Sequence, residues 1–150
     1  MIRTFAEWIG TVFYLGKLPL APGTWTSLVA TITWYFIFKD LNIYILPIVT
    51  SLLFILGVVS SNKIIRYRKE HDPSVIVIDE WVGQWLAFTM LPVTFQTGLI
   101  GFIAFRFFDI LKPGPVKRME RLPNGLGVMA DDVMAGILAY FIIIIYYLLF

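Results

Sequence analysis

In 150 residues the chain carries 59% hydrophobic and only 15% charged residues, and its mean hydropathy is +0.81. A soluble domain of this length has too little interior to hide so much apolar side chain, so lipid is expected to bathe much of the surface. A net charge of +2 with no basic stripe argues against a nucleic-acid partner, and the lack of cysteine excludes disulfides, thiolate metal sites and cysteine nucleophiles.

Residues 5–16 read as a short helix, with Phe5, Trp8, Ile9, Val12 and Phe13 at helical spacing. It falls short of the roughly 20 residues a crossing needs, so an interfacial or internal position is expected. Glu7, Lys17, Pro19 and Pro22 argue against a cleaved signal peptide. The stretch "KLPLAPGTWTS" breaks the pattern, and Thr24 to Ser27 offer N-caps for an apolar element ending near Phe38. A second apolar run covers 43–60, with Pro47 in its first turns, where proline is tolerated. The polar stretch "NKIIRYRKEHDP" follows, and its His71 reads as solvated. The run 75–91 is apolar but carries Asp79 and Glu80; "LPVTFQTG" turns the chain, and 99–111 is apolar but carries Arg106 and Asp109. "KPGPVKRMERLPNGLG" reads as a polar loop, and the last helix is expected to start at Asp131 or Asp132 and run to Phe150. With no repeat and no linker, the expectation is one all-α domain over 1–150. It is an integral membrane helical bundle of about four to five membrane-embedded helices plus the short N-terminal one.

Eight of the twelve Lys and Arg residues fall in two stretches: Lys63, Arg66, Arg68 and Lys69, then Lys112, Lys117, Arg118 and Arg121. The positive-inside rule puts both in the cytoplasm, and two crossings back "KLPLAPGT" joins them on that face.

The charges inside apolar context are Asp79, Glu80, Arg106, Asp109, Asp131 and Asp132, with Lys112 just outside. Taken singly, each acid reads equally well as an interfacial residue at a helix start, favoured by the helix dipole. As a group, two adjacent acidic pairs near one face need a cation, and hard oxygen donors without cysteine suit Mg²⁺ or Mn²⁺ rather than Zn²⁺. Arg106, Asp109 and Lys112 form a stripe that is either a salt-bridged face or a phosphate-binding one. Gly83 and Gly136 allow close helix packing near each acidic pair. A single His and the absence of a G-x-x-x-x-G-K-[ST] loop exclude two-histidine phosphatases and P-loop enzymes.

The stretches "LPLAPGTWTSL", "DPSVIVIDEWVGQWLA", "FRFFDILKPGPV" and "GLGVMADDVMAGI", spread over residues 18–137, occur in the order and spacing of the phosphatidylglycerophosphatase A family, which the chain resembles. The resemblance implies an all-helical, Mg²⁺-dependent phosphatase of the bacterial cytoplasmic membrane. Such an enzyme converts phosphatidylglycerophosphate, a phospholipid, to phosphatidylglycerol. It implies Asp79, Glu80, Asp131 and Asp132 at the metal, Asp109 and Asp131 as catalytic carboxylates, and Arg106 and Lys112 facing phosphate. The "APGT" loop, with Thr24 and Lys17, becomes a third wall of the substrate site. The chain departs from the family's usual residues at His71, Thr26 and Gly114, none of them an assigned acid. The alternatives from other classes are a lipid phosphotransferase, whose D-G-x-x-A-R pattern is missing, and an ion transporter, which should hold its acids nearer mid-membrane.

Overall fold

The structure, a computed structural model, describes residues 2–69 and 73–150, with Ile2 and Arg3 described by backbone alone; His71 lies outside the described residues. It is helical throughout: α1 (Ile2–Gly10), α2 (Pro22–Ile37), α3 (Ile45–Arg68), α4 (Ile78–Ala87), α5 (Phe95–Leu111), α6 (Gly114–Met119) and α7 (Asn124–Leu149), with a 3₁₀ turn at Leu15–Lys17. No strand occurs among the described residues, in line with the all-α expectation.

The helix boundaries differ from the expected ones for local reasons. α1 stops at Gly10 because Thr11 offers the chain another set of bonds. Its hydroxyl donates to the Glu7 carbonyl at 2.7 Å and accepts from the Tyr14 amide at 3.0 Å, and Val12, Phe13 and Tyr14 turn left-handed at φ 44, 53 and 71°. α2 starts on Pro22, whose fixed φ suits a first helical position, so Thr24 and Ser27 lie inside the helix rather than capping it. α3 runs past Ser60 to Arg68, and its last-turn Arg66 and Arg68 sit where the helix dipole favours cations. α5 starts at Phe95, capped by the Thr94 hydroxyl, which accepts from the Thr97 amide at 3.1 Å. The expected polar loop after Lys112 contains α6, anchored by the buried Val116.

Two expectations need larger corrections. The run 75–91 is not a crossing helix. α4 has ten residues, about 15 Å of helix. It packs against α2, α3, α5 and α7, and Ile78, Val82, Trp85 and Ala87 are buried. Hydrophobicity alone does not distinguish a buried helix from a lipid-facing one. Among the described residues two helices, α3 and α7, are long and apolar enough to cross a membrane, fewer than the four to five expected. α2 and α5, at 16 and 17 residues, fall just below the usual crossing length of about 20. Their outer faces are nonetheless apolar stripes: Trp25, Leu28, Ile32 and Phe36 on α2, and Phe95, Leu99, Ile103 and Phe107 on α5, are all exposed.

The interior locks α4 to its neighbours. The Trp85 indole N–H donates to the Ala30 carbonyl of α2 at 2.9 Å, and Trp34 stacks on Phe88 at 4.1 Å. The N-terminal segment fixes the entry to α4: the Val77 amide donates to the Gly10 carbonyl at 2.8 Å. A Cβ on Gly16 would collide with the Val75 carbonyl, so this approach requires glycine.

Candidate active site

The two acidic pairs meet because α4 and α7 touch backbone to backbone. A Cβ on Gly136 would collide with the Gly83 carbonyl, and one on Gly83 would lie 2.5 Å from the Asp132 carbonyl. Asp79 and Glu80 stand one turn before Gly83, and Asp131 and Asp132 about one turn before Gly136, so the approach of the glycines draws the carboxylates together. α7 begins at Asn124, seven or eight residues earlier than expected, so Asp131 and Asp132 lie two turns inside it, beyond the reach of the first-turn dipole. "NGLG" reads like a loop, yet its glycines serve packing. Gly125 fits against the Asn62 amide and the Val58 carbonyl, each 2.8 Å from where a Cβ would stand, and its own amide donates to the Asn62 side chain at 2.9 Å.

The result is a cavity of about 300 Å³ at the start of α2 and α4 and the end of α5. Asp79, Glu80 and Asp132 each place a carboxylate oxygen within 4.8 Å of the others. Asp131 lines the same cavity but turns one oxygen to Lys112, whose ammonium donates to it at 2.8 Å and to Glu120 at 3.1 Å. Arg106 pairs with Asp109 one turn on, and both face the cavity. Gly23 closes the α2 side. A Cβ there would collide with the Glu80 carboxylate and stand 3.3 Å from the Arg106 guanidinium.

Asp79 Oδ1, Glu80 Oε2, Asp131 Oδ1 and Asp132 Oδ2 are buried without a hydrogen-bond partner. Leaving anionic oxygens so is costly unless something positive neutralises them. The strain shows in the acids of α4, a helix too short to span a membrane. Burial first, then the neighbouring Glu80 and Asp132 charges, pushes Asp79 well above the usual carboxylate range. Burial likewise lifts Glu80 to about 7, against the opposing pull of its bond with Asp79 and the Arg106 charge. Burial pulls Lys112 down, but its bonds to Asp131 and Glu120 outweigh that and raise it overall. The donor set fits a hard divalent cation: three converging carboxylates, spare oxygen lone pairs and no sulfur ligand.

Of the residues expected at the site, Asp79, Glu80, Arg106, Asp109, Lys112, Asp131 and Asp132 line one cavity. Lys17 and Thr24 are not among its lining residues. Lys17 is exposed, with its ammonium 4.4 Å from the centre of the Tyr14 ring, and the α2 wall is made instead by Ala21, Pro22 and Gly23. One member of the constellation carries no sequence signal: Glu120 lies in the stretch expected to be a polar loop, with no local pattern linking it to Lys112. Of the expected "APGT" wall the first three residues line the cavity, and Gly23, a turn former by sequence, is the residue that leaves room for Glu80.

Residues 8–147 match the family described as phosphatidylglycerophosphatase A. A Haemophilus influenzae protein named phosphatidylglycerophosphatase A is 41% identical over 133 residues, covering 87% of this chain and 82% of the relative. Its Escherichia coli namesake is 34% identical over 130 residues, 85% and 74% of the two chains. A Bacteroides thetaiotaomicron protein provisionally named phosphatidylinositol-3-phosphatase is 38% identical over 142 residues, 90% and 89% of the two. No solved structure matches the chain.

Proposed function

The chain belongs to the phosphatidylglycerophosphatase A family, and from that premise we propose that it hydrolyses the phosphate monoester of phosphatidylglycerophosphate, releasing phosphatidylglycerol and inorganic phosphate. We propose Mg²⁺, or Mn²⁺ in its place, held by Asp79, Glu80 and Asp132. The observation that carries this reading is the meeting of three carboxylates with Arg106 and Lys112 in one cavity, an arrangement suited to a metal-bound phosphate.

When bound, the ion supplies Lewis-acid charge for the phosphoryl oxygens and makes a bound water more acidic. The chain's own groups divide the remaining work. Arg106, steadied by Asp109, keeps a buried Nε–H without a partner, a donor free to meet a phosphate oxygen. Lys112, held between Asp131 and Glu120, sets a second positive charge where the phosphoryl group becomes more negative. Asp131 has one oxygen committed to Lys112 and leaves Oδ1 to take a proton from the attacking water.

The setting we propose is the bacterial cytoplasmic membrane, with α2, α3, α5 and α7 facing lipid and the cavity facing the cytoplasm. Two observations support it. Exposed side chains on those helices form apolar stripes. The bond between Asn62 and Gly125 ties the basic end of α3 to the start of α7, beside the basic α6, so the positive residues gather at the cavity's end of the bundle. Family membership displaces the transporter and phosphotransferase alternatives. The Bacteroides relative favours a second reading, the same hydrolysis on an inositol lipid phosphate.

The test is phosphate release by the detergent-purified protein from phosphatidylglycerophosphate and from phosphatidylinositol 3-phosphate, with Mg²⁺ and then with EDTA. Release from the glycerol lipid, stopped by EDTA and restored by Mg²⁺, is expected. Preference for the inositol lipid would select the second reading, and no release from any lipid phosphate would sink both.

A further inference from the structure

The cavity has an apolar continuation. α2 and α5 run antiparallel and touch at two levels. Gly23 faces Arg106 at the cavity, and Thr31 meets Gly98 eight residues further along each helix, 23 to 31 and 106 to 98. Eight residues of helix are about 12 Å. Around the second level a groove of about 330 Å³ opens on the outer face, with Leu28 and Phe102 at its near end and Phe36 and Phe95 at its far end. Leu28 is five residues beyond Gly23, and Phe102 four before Arg106, so the groove starts roughly 6–8 Å from the cavity along the same seam. The glycerol–phosphodiester–glycerol linker between the terminal phosphate and the acyl chains is long enough to span that gap.

The groove offers almost nothing polar. The Thr31 hydroxyl is taken by the Ser27 carbonyl of its own helix at 2.8 Å, so the wall presents the threonine methyl. Gly98 keeps the floor low: a Cβ there would rest at 3.5 Å from both Thr31 Cγ2 and the Trp34 ring, and anything larger must grow elsewhere into the space. Two other apolar recesses lie between α3, α4 and α7 and share no helix pair with the Gly23–Arg106 edge of the cavity.

Resting on the lipid-phosphatase reading above, we propose that the α2–α5 groove holds one acyl chain of the substrate while its phosphate occupies the acidic cavity. A chain already in the bilayer gains little hydrophobic free energy by entering the groove, because lipid tails are as apolar as its walls. The groove acts instead by orientation. A seated chain fixes the depth and azimuth of the phosphate, turning a laterally diffusing headgroup into a positioned one.

The test compares wild type with Gly98→Leu and Leu28→Trp, which fill the floor and narrow the near end. Two substrates are used: long-chain phosphatidylglycerophosphate in mixed micelles, and the water-soluble glycerophosphoglycerophosphate headgroup without acyl chains. Both variants are expected to lose roughly tenfold or more in kcat/KM on the lipid, as overpacking a filled groove does, and to stay within about twofold on the soluble ester. Equal losses on both substrates, or none on either, would overturn the proposal. Because a variant can misfold, wild-type protein is also photolabelled with a phosphatidylglycerophosphate analogue bearing a diazirine on its acyl chain. Label is expected on 28–36 and 95–102, with competition by unlabelled lipid. Even labelling of all the outer helices would mark the groove as bulk-lipid surface, and a change of oligomeric state in Gly98→Leu without a lipid-specific loss would make it an interface between copies. Either result refutes acyl-chain seating. Failure of the wild type to release phosphate from any lipid would refute the activity reading instead, and labelling would still report on the groove.

Discussion

Replacing Gly23 with alanine should separate activity from stability. The added methyl lands on the Glu80 carboxylate and beside the Arg106 guanidinium. Backbone does not obstruct it; the obstruction is the far end of a long side chain, which can swing away. Folding therefore loses little. Gly23 is the second residue of α2, and replacing glycine by alanine in a helix gains up to about 1 kcal/mol, less at a first turn. The melting temperature should hold or rise. Catalysis should not hold, because Glu80 can make room only by leaving the group it forms with Asp79 and Asp132. If the displacement costs the 1–3 kcal/mol typical of overpacking, kcat/KM falls roughly 5- to 150-fold. The assay is phosphate release from phosphatidylglycerophosphate across a Mg²⁺ titration, with thermal unfolding in the same detergent. Wild-type kcat/KM at every Mg²⁺ concentration would refute the reasoning, since Glu80 would then have no need of the place Gly23 leaves open.

Gly136→Ala should behave oppositely. Its methyl meets the Gly83 backbone, which cannot swing aside, so stability should fall by about 1–3 kcal/mol along with activity, read as a lower melting temperature. Asp132→Asn should raise the Mg²⁺ concentration for half-maximal activity at least about tenfold, whereas Asp131→Asn should leave that concentration nearly unchanged and lower kcat; an identical metal dependence in the two variants would count against the division of roles. Glu120→Gln removes one of the two carboxylates holding Lys112 and should raise KM for the lipid by about 2- to 10-fold with kcat largely kept, measured by initial rates.

The acidic constellation was legible because it violates the surrounding pattern. Asp79, Glu80, Asp109, Asp131 and Asp132 are conspicuous in apolar runs, and a carboxylate placed there needs a reason. What stayed hidden was what depends on the third dimension. α4 and a crossing helix share one apolar signature, and only the packing of four helices around α4 distinguishes them. The glycines of "NGLG" and "APGT" carry a turn signal, yet here they mark where another backbone or a carboxylate comes close. Glu120 meets Lys112 through α6, whose helical turn is too short to leave a periodic trace.

The adjacent acids of α7 show how one dipeptide can serve two ends. Neighbouring side chains on a helix diverge by about 100°, so Asp131 and Asp132 cannot both face the same partner squarely. In the fold they do not. Asp132 points with Asp79 and Glu80, while Asp131 turns toward Lys112 on the far side of the cavity. Had α7 begun at the acids, both would have been drawn to its amide end and partly neutralised there. Starting the helix two turns earlier withholds that compensation and leaves buried oxygens on both residues unpartnered. The chain thus keeps unpartnered oxygen donors where α2, α4, α5 and α7 leave a cavity open. On the proposed reading, a cation would meet less competition here than at a site whose carboxylates already have partners.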